Sequence, residues 1–219
     1  MTEIKRIRCG SVNSYLVEDN GKAVLVDTGK SGFEEKILAQ CRNVKVELIF
    51  LTHGHVDHVQ NAAWLKERLG VPVALHKADL ELIKDNFAEH LFYEGMLGML
   101  VAEVMAKSFE KEDVPEFTPD IFLQEGDSLS DYGINARVLE LPGHTKGSIG
   151  LDVEGRWVVV GDALMNMFYP GLPMVYGNRE EMMRSADKIS ALGARKVYFG
   201  HGCPVYNRPW SRAGTEEGV

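Results

Sequence analysis

The run "VELIFLTH" (residues 46–53) leads straight into "HGHVDH" (53–58), and no other stretch limits the fold as strongly. A short segment so rich in branched apolar residues is expected of a strand covered on both faces, which is the environment of a parallel sheet in an α/β protein. Ending that strand in three histidines and one aspartate within six positions puts ligand-type side chains at its C-terminal end. At this chain's own His and Asp frequencies, an H-x-H-x-D-H string arises by accident in about 4 of 10,000 such sequences, so chance is a poor explanation.

The flanking sequence reads as strands, helices and turns in alternation. "SYLVED" and "KAVLVDTG" are strands joined by "NG", a strong hairpin signal. "FEEKILAQC" is a short helix. "DHVQNAAWLKERLG" (57–70) is predicted as one helix, with Asp57 at its start, Gly70 at its close and Val59, Ala62, Leu65 and Leu69 at helical spacing. "VPVALH" is the next strand. Residues 77–119 interrupt this rhythm, because Leu80, Ile83, Phe87 and Leu91, and then Leu97, Leu100 and Val104, follow helical spacing. Two helices are predicted there, ending before the prolines of "VPEFTPD". Strands return in "ARVLELPGHTKGSIGLDVEGRWVVVGDAL", with "EG" as a turn. Asn178 with Glu181 resembles a capping box for a helix stopped by Gly193, and "KVYFGHG" is the last strand. The second half therefore repeats the plan of the first, and one domain over residues 1–219 is expected.

The remaining metal-type residues stand in glycine-marked turns at strand ends: His144 in "PGHTKGS", Asp162 in "VVVGDA" and His201 in "KVYFGHG". His53 and His55, two apart on extended chain, can point the same way, whereas Asp57 and His58 begin a helix and point elsewhere. The motif thus divides into two half-sites. Neutral imidazole and carboxylate suit Zn²⁺ foremost, with Fe²⁺ or Mn²⁺ as alternatives, and seven donors are enough for two divalent metals. Asp27 reads as a turn residue or hydrogen-bonding partner of a ligand. His76 and His90 read as ordinary, and Cys203 as a buried, inert thiol. The insertion is a candidate roof, with Phe87, Phe92, Tyr93 and Met96 as candidate pocket walls, and the methionines at 165 and 167 read as core packing.

Charge and cysteine content narrow the partners. With 24 basic and 32 acidic residues the net charge is −8, and two divalent metals would leave about −4. Such a balance disfavours nucleic acid and anionic membranes and leaves a small-molecule substrate. Cys9, Cys41 and Cys203 form no C-x-x-C pair. "MTEIKRIRCG" lacks the apolar core of a signal peptide, and no apolar run approaches the ~18 residues of a span, so a cytoplasmic protein is expected.

Taken in order, "NSYLVEDNGKAVLVDTG", "LTHGHVDH", "LPGHTKGSIG", "VVVGDAL" and "VYFGHG" resemble the motifs of the metallo-β-lactamase-fold hydrolases, which include glyoxalase II, lactonases and tRNA 3′-processing nucleases. The resemblance implies a four-layer αββα sandwich, here with a helical insertion at about 77–119. It implies His53, His55 and His144 on one metal, Asp57, His58 and His201 on the other, and Asp162 between them. Departures narrow the activity. Asp162 stands where the largest class of β-lactamases has cysteine, and flavodiiron reductases carry Glu in place of His55. Only 18 residues follow His201, against the C-terminal helical glutathione-binding region of glyoxalase II. Tyr169 or Tyr176 alone could approximate a lactonase tyrosine. The expected reaction is hydrolysis of a small ester, thioester or lactone by metal-bound hydroxide, with metals about 3.5–4 Å apart and Asp57 as catalytic proton shuttle. Alternatives are a mononuclear iron enzyme resembling persulfide dioxygenases and a phosphodiesterase or ribonuclease.

Overall fold

The computed structural model describes residues 1–210. β1 (Glu3–Cys9), β2 (Val12–Asp19) and β3 (Lys22–Val26) form an antiparallel meander. Asn20 and Gly21 join the last two at φ 50° and 80°, the left-handed pair a tight hairpin needs. α1 (Glu34–Cys41) crosses to β4 (Lys45–Phe50), which pairs parallel with β3. α2 (Val56–Val59) and α3 (Ala62–Leu69) cross to the parallel β5 (Val73–Leu75). β6 (Phe92–Tyr93) and α4 (Gly95–Phe109) lie outside this sheet, which β7 (Ile121–Phe122) completes in the order β1-β2-β3-β4-β5-β7.

The second sheet repeats the device. β8 (Ala136–Glu140), β9 (Ile149–Val153) and β10 (Trp157–Gly161) form a meander, and β11 (Val175–Tyr176) leaves it to pair with β6. α5 (Arg179–Ala191) crosses to β12 (Lys196–Phe199), parallel to β10, and β13 (Val205–Tyr206) gives the order β13-β12-β10-β9-β8. Strand alternation then sorts the core into three layers. Leu16, Leu25 and Ile49 face α1 and α3, while Tyr15, Val24 and Phe50 face Leu151 and Val159 of the second sheet. Val158, Val160 and Phe199 face Ala186 and Ile189 of α5. Each fully buried side chain of this kind contributes about 1.5–3 kcal/mol. The result is the αββα sandwich, and no helix among the described residues is long and apolar enough to cross a membrane.

Three local predictions need correction. The helix over 57–70 is broken at Gln60 and Asn61. The His58 carbonyl, which would continue the ladder, instead accepts from both the N–H (2.7 Å) and the Oγ1 (2.9 Å) of Thr28. The insertion holds one α-helix, α4, where two were predicted. Residues 77–90 form a 3-10 turn and further turns, because the Asp85 side chain accepts from Phe87 N and Leu82 and Ile83 are drawn under Gly54. The capping box at α5 is half formed. Asn178 Oδ1 accepts from the N–H groups of Glu180 and Glu181, but its own N–H donates to Gly143 O.

Candidate metal centre

Every predicted donor lies beyond the C-terminal end of a strand, and all seven converge on one rim of the sandwich. His53 and His55 follow β4 on extended chain, and Asp57 and His58 sit in α2. His144 is in the β8–β9 connection, Asp162 directly follows β10 and His201 follows β12. Three donor clusters result, namely His53/His55/His144, His53/His58/Asp162 and Asp57/His58/His201, the donor atoms in each lying within 4.8 Å of one another. Asp162 touches both half-sites. Its Oδ1 is 3.6 Å from His58 Nε2, and its Oδ2 is 3.7 Å from His144 Nε2 and 3.3 Å from His201 Nε2.

Hydrogen bonds on the far side of the rings fix which nitrogen is free. His144 Nδ1 donates to Val175 O (2.9 Å) and His201 Nδ1 to Ser11 O (3.0 Å), so in the neutral rings Nε2 keeps its lone pair, which on His144 accepts from His55 Nδ1 at 3.0 Å. Asp27 serves two more rings from a left-handed backbone at φ 57°. Its Oδ2 accepts from His58 Nδ1 (2.8 Å) and from Thr52 Oγ1 (2.8 Å), which in turn accepts from His53 Nδ1 (3.1 Å). The hydrogen-bonding role expected of Asp27 is therefore present, with Thr52 as an unpredicted intermediary. Inside the cluster, His53 Nε2, His58 Nε2 and Asp162 Oδ1 are buried with no hydrogen-bond partner. Buried polar atoms left so cost about 1–3 kcal/mol each. Cations at their centre would satisfy them, and imidazole with carboxylate is a donor set that divalent metals accept.

Electrostatics divide the histidines. Burial, reinforced by neighbouring imidazoles, pushes His53 well down and His55 to about 3, and burial also lowers His144. Burial opposes charge on His58 too, but the carboxylates of Asp162, Asp27 and Asp57 outweigh it and push it up to about 9. At His201 Asp162 and Asp57 likewise overcome burial and raise it well above its ordinary value. Reciprocally, against burial, His58 and His201 hold the carboxyls of Asp57 and Asp162 well below the usual range.

The cluster opens on a cavity of about 380 Å³ whose floor includes His55, Asp57, Asp162 and His201. Asp57 is the most accessible part of that floor, its side chain 18% exposed. α4 of the insertion forms one wall of the cavity. The residues that do so are not those predicted. Leu97, Val101 and Met105 line the cavity, whereas Phe87, Phe92, Tyr93 and Met96 do not; Met165 is buried as expected but also borders the cavity, and Met167 is exposed at its wall instead of packed in the core. Phe87, Phe92 and Tyr93 precede α4, and on α4 itself the helix turns Leu97, Val101 and Met105 to the cavity and Met96 away from it.

Comparison with known proteins identifies the family. The metallo-beta-lactamase superfamily profile matches residues 7–201. The chain belongs to the metallo-beta-lactamase superfamily. A protein of Aquifex aeolicus, itself uncharacterised, is 32% identical over 182 residues, 82% of this chain and 78% of its own. The hydroxyacylglutathione hydrolase GloC of Haemophilus influenzae is 32% identical over 155 residues, 69% of this chain and 65% of its own. Among solved structures, TTHA1623 in a di-iron-bound form superposes with a TM-score of 0.70 at 28% identity, covering 94% of this chain and 98% of that one. BLEG-1, a B3 metallo-beta-lactamase, reaches 0.74 at 21% identity, covering 93% and 94%, a likeness of fold alone. Family and donor cluster together make this superfamily member a metal-dependent hydrolase with a His/Asp site suited to two divalent cations.

Within this superfamily member one buried carboxylate was missed by sequence reasoning. Asp79 Oδ2 accepts from Gly54 N (2.8 Å) and Thr145 Oγ1 (2.9 Å), and its Oδ1 accepts from Gly147 N (2.6 Å). It thereby ties the loop of His53 and His55 to the loop of His144. Gly147 is small of necessity, since a Cβ there would run into that carboxylate, and one at Gly200 would strike Asp162. No motif in "HKADL" signals this role. His76 and His90 stand apart from the donors. The first accepts from Ala78 N within its own turn, and the second lies edge-on to Phe92 at 4.8 Å. Cys203 is exposed, not buried, and Arg6 lowers its pKa. Tyr169 is exposed and Tyr176 stacks on Phe92, so neither lines the cavity.

Proposed function

We propose that this chain hydrolyses a small ester, thioester or lactone at a pair of divalent cations. His53, His55 and His144 would hold one, Asp57, His58 and His201 the other, and Asp162 would lie between. The observation that carries this reading is the meeting of three donor clusters at the floor of an open cavity. When bound, the cations supply an activated water near neutral pH and polarise the substrate carbonyl.

The chain's own groups do the rest. Asp57, partly exposed to the cavity and kept ionised by His58 and His201, takes the proton of the attacking water and returns it to the leaving group. Asp27 and Thr52 keep His58 and His53 oriented, and α4 limits access of bulk water. Thioesters come first among substrates, because GloC and related hydrolases bear the name of one. Zinc or iron fits the donors, and iron has a precedent in the di-iron TTHA1623. Three free cysteines agree with a reducing, cytoplasmic setting.

Metal analysis followed by a panel of thioesters, lactones, β-lactams and phosphodiesters tests the proposal. About two metals per chain and turnover of a thioester, ester or lactone are expected. A fully active protein with one iron that consumes oxygen and hydrolyses nothing would overturn it.

A further inference from the structure

Resting on that hydrolase reading, we propose that the groove between α4 and residues 165–168 seats an apolar acyl chain of the substrate, and not the charged peptide arm of a glutathione leaving thiol. The argument starts from α4. Leu97, Leu100, Val101, Val104 and Met105 recur at three- and four-residue spacing and form one helical face, and that face lines the cavity. Met165, Met167 and Phe168 line it too. Met165 is buried, but the protein leaves most of the others at least partly uncovered, with Leu100 50%, Val104 69% and Phe168 58% exposed. An uncovered apolar face bordering a catalytic centre is the signature of a ligand groove, and methionine adapts its shape to flexible chains.

Charge argues the same way. Among the described residues lining the cavity, Lys30 is the one Lys or Arg. Its ammonium is already engaged, 3.6 Å from a Glu112 carboxylate oxygen and donating to Ser108 Oγ at 3.4 Å. A glutathione arm carries two carboxylates, and burying either against this wall without a free cation is costly. An alkyl chain meets no such penalty. Hydrolysis then breaks the acyl C–S or C–O bond, with hydroxyl from water going to the acyl carbon and its proton to the departing thiol or alcohol.

The test separates the groove from the chemistry. Metal-loaded protein is titrated calorimetrically with linear alkanoic acids from acetate to octanoate. The carboxylate is common to all of them, so its interaction with the metals cancels from the trend. Kd is expected to fall about fourfold per added methylene until the groove is full. On thioesters with one common leaving thiol, kcat/KM should climb in parallel from acetyl to octanoyl, and lactoylglutathione should trail the octanoyl substrate. Leu100→Asp, at a half-exposed position where folding is not at stake, should reduce the binding gain to under about twofold per methylene. A flat series, an unchanged gain in Leu100→Asp, or lactoylglutathione as the better substrate overturns the groove even where hydrolysis is found. A steep binding series without turnover of any thioester, ester or lactone supports the groove and sinks the hydrolase reading.

Discussion

Asp79→Ala is expected to destabilise the protein by about 3–5 kcal/mol and to weaken one metal more than the other. The magnitude follows from what the carboxylate satisfies. Fully buried, it accepts from Gly54 N, Gly147 N and Thr145 Oγ1. Thr145 Oγ1 keeps a second partner in Ser148 Oγ at 2.8 Å, so two backbone donors bear most of the loss. Each buried donor stripped of its acceptor costs about 1–3 kcal/mol. Against a total stability of about 5–15 kcal/mol the variant should fold, with a lowered urea midpoint. Burial pushes the Asp79 carboxyl pKa up, opposed by those same hydrogen bonds. Asp79→Asn removes that charge at constant volume and retains one acceptor oxygen, so its loss should be about half as large. The joined loops carry His53, His55 and His144, so competitive metal titration should find the proposed first cation weakened about 10–100-fold and the second nearly unchanged. Urea unfolding of the chelated protein within about 0.5 kcal/mol of the parent, with both metals bound as before, would refute this reasoning.

Three further outcomes follow from the same geometry. Asp57→Asn keeps an oxygen donor but loses basicity, so at least one metal should stay bound while kcat falls by about 10²–10⁴, measured by steady-state kinetics alongside metal analysis. Asp162→Ala removes the group that touches both half-sites, so metal content and activity should fall together on the same two measurements. Cys203, its pKa lowered by Arg6, should be alkylated faster at pH 7 than buried Cys9, whose pKa is raised, and Cys41, pushed up to about 11. Because the thiolate is the reactive form, its rate should reach half-maximum below the pH of an ordinary thiol, and Arg6→Ala should move that midpoint upward in an iodoacetamide titration.

The seven donors were legible because metal chemistry admits few residue types and each one sits in a short turn at a strand end. The strands were legible for a similar reason, since residues such as Leu48, Ile49 and Phe50 are buried on both faces and leave an unbroken apolar run. Long-range bonds carried no such mark. The partners of Asp79 lie 25, 66 and 68 residues away, and the break at Gln60 is set by Thr28, 30 residues before His58. In α4 the apolar spacing was visible, but the side turned to the cavity depends on how Gly98 lets the helix approach Met174. The predicted first helix of the insertion failed because Leu80 and Ile83 join the core beside the first sheet while Phe87 stays exposed, and the Asp85 side chain accepts from Phe87 N in a turn.

On the proposed reading, metal chemistry and substrate choice should occupy separable parts of the chain, and replacing residues 85–112 by a short glycine linker tests it. The ends of that segment are close, since Asn86 Nδ2 donates to Glu112 O at 3.0 Å, so a few residues can close the gap. Asp79, Leu82 and Ile83 stay in place beneath Gly54. The cut removes β6 and with it the strand partner of β11, whose Val175 carbonyl holds His144. β11 remains tied to the His144 loop by other bonds, because Gly177 N donates to Gly143 O and His144 O and Asn178 N donates to Gly143 O. Among the described residues, the donors themselves lose the packing of Phe109 on His55, at 5.3 Å between ring centroids, and the His144 loop loses the Glu89 carboxylate that accepts from Lys146 N. Metal content should therefore stay near that of the parent chain. The apolar wall goes with α4, and KM for a long-chain thioester should rise by roughly 10-fold or more, as expected for losing two or more methylene contacts. Loss of metal on this replacement would mean that the segment is scaffold for the donors and that the separation does not exist.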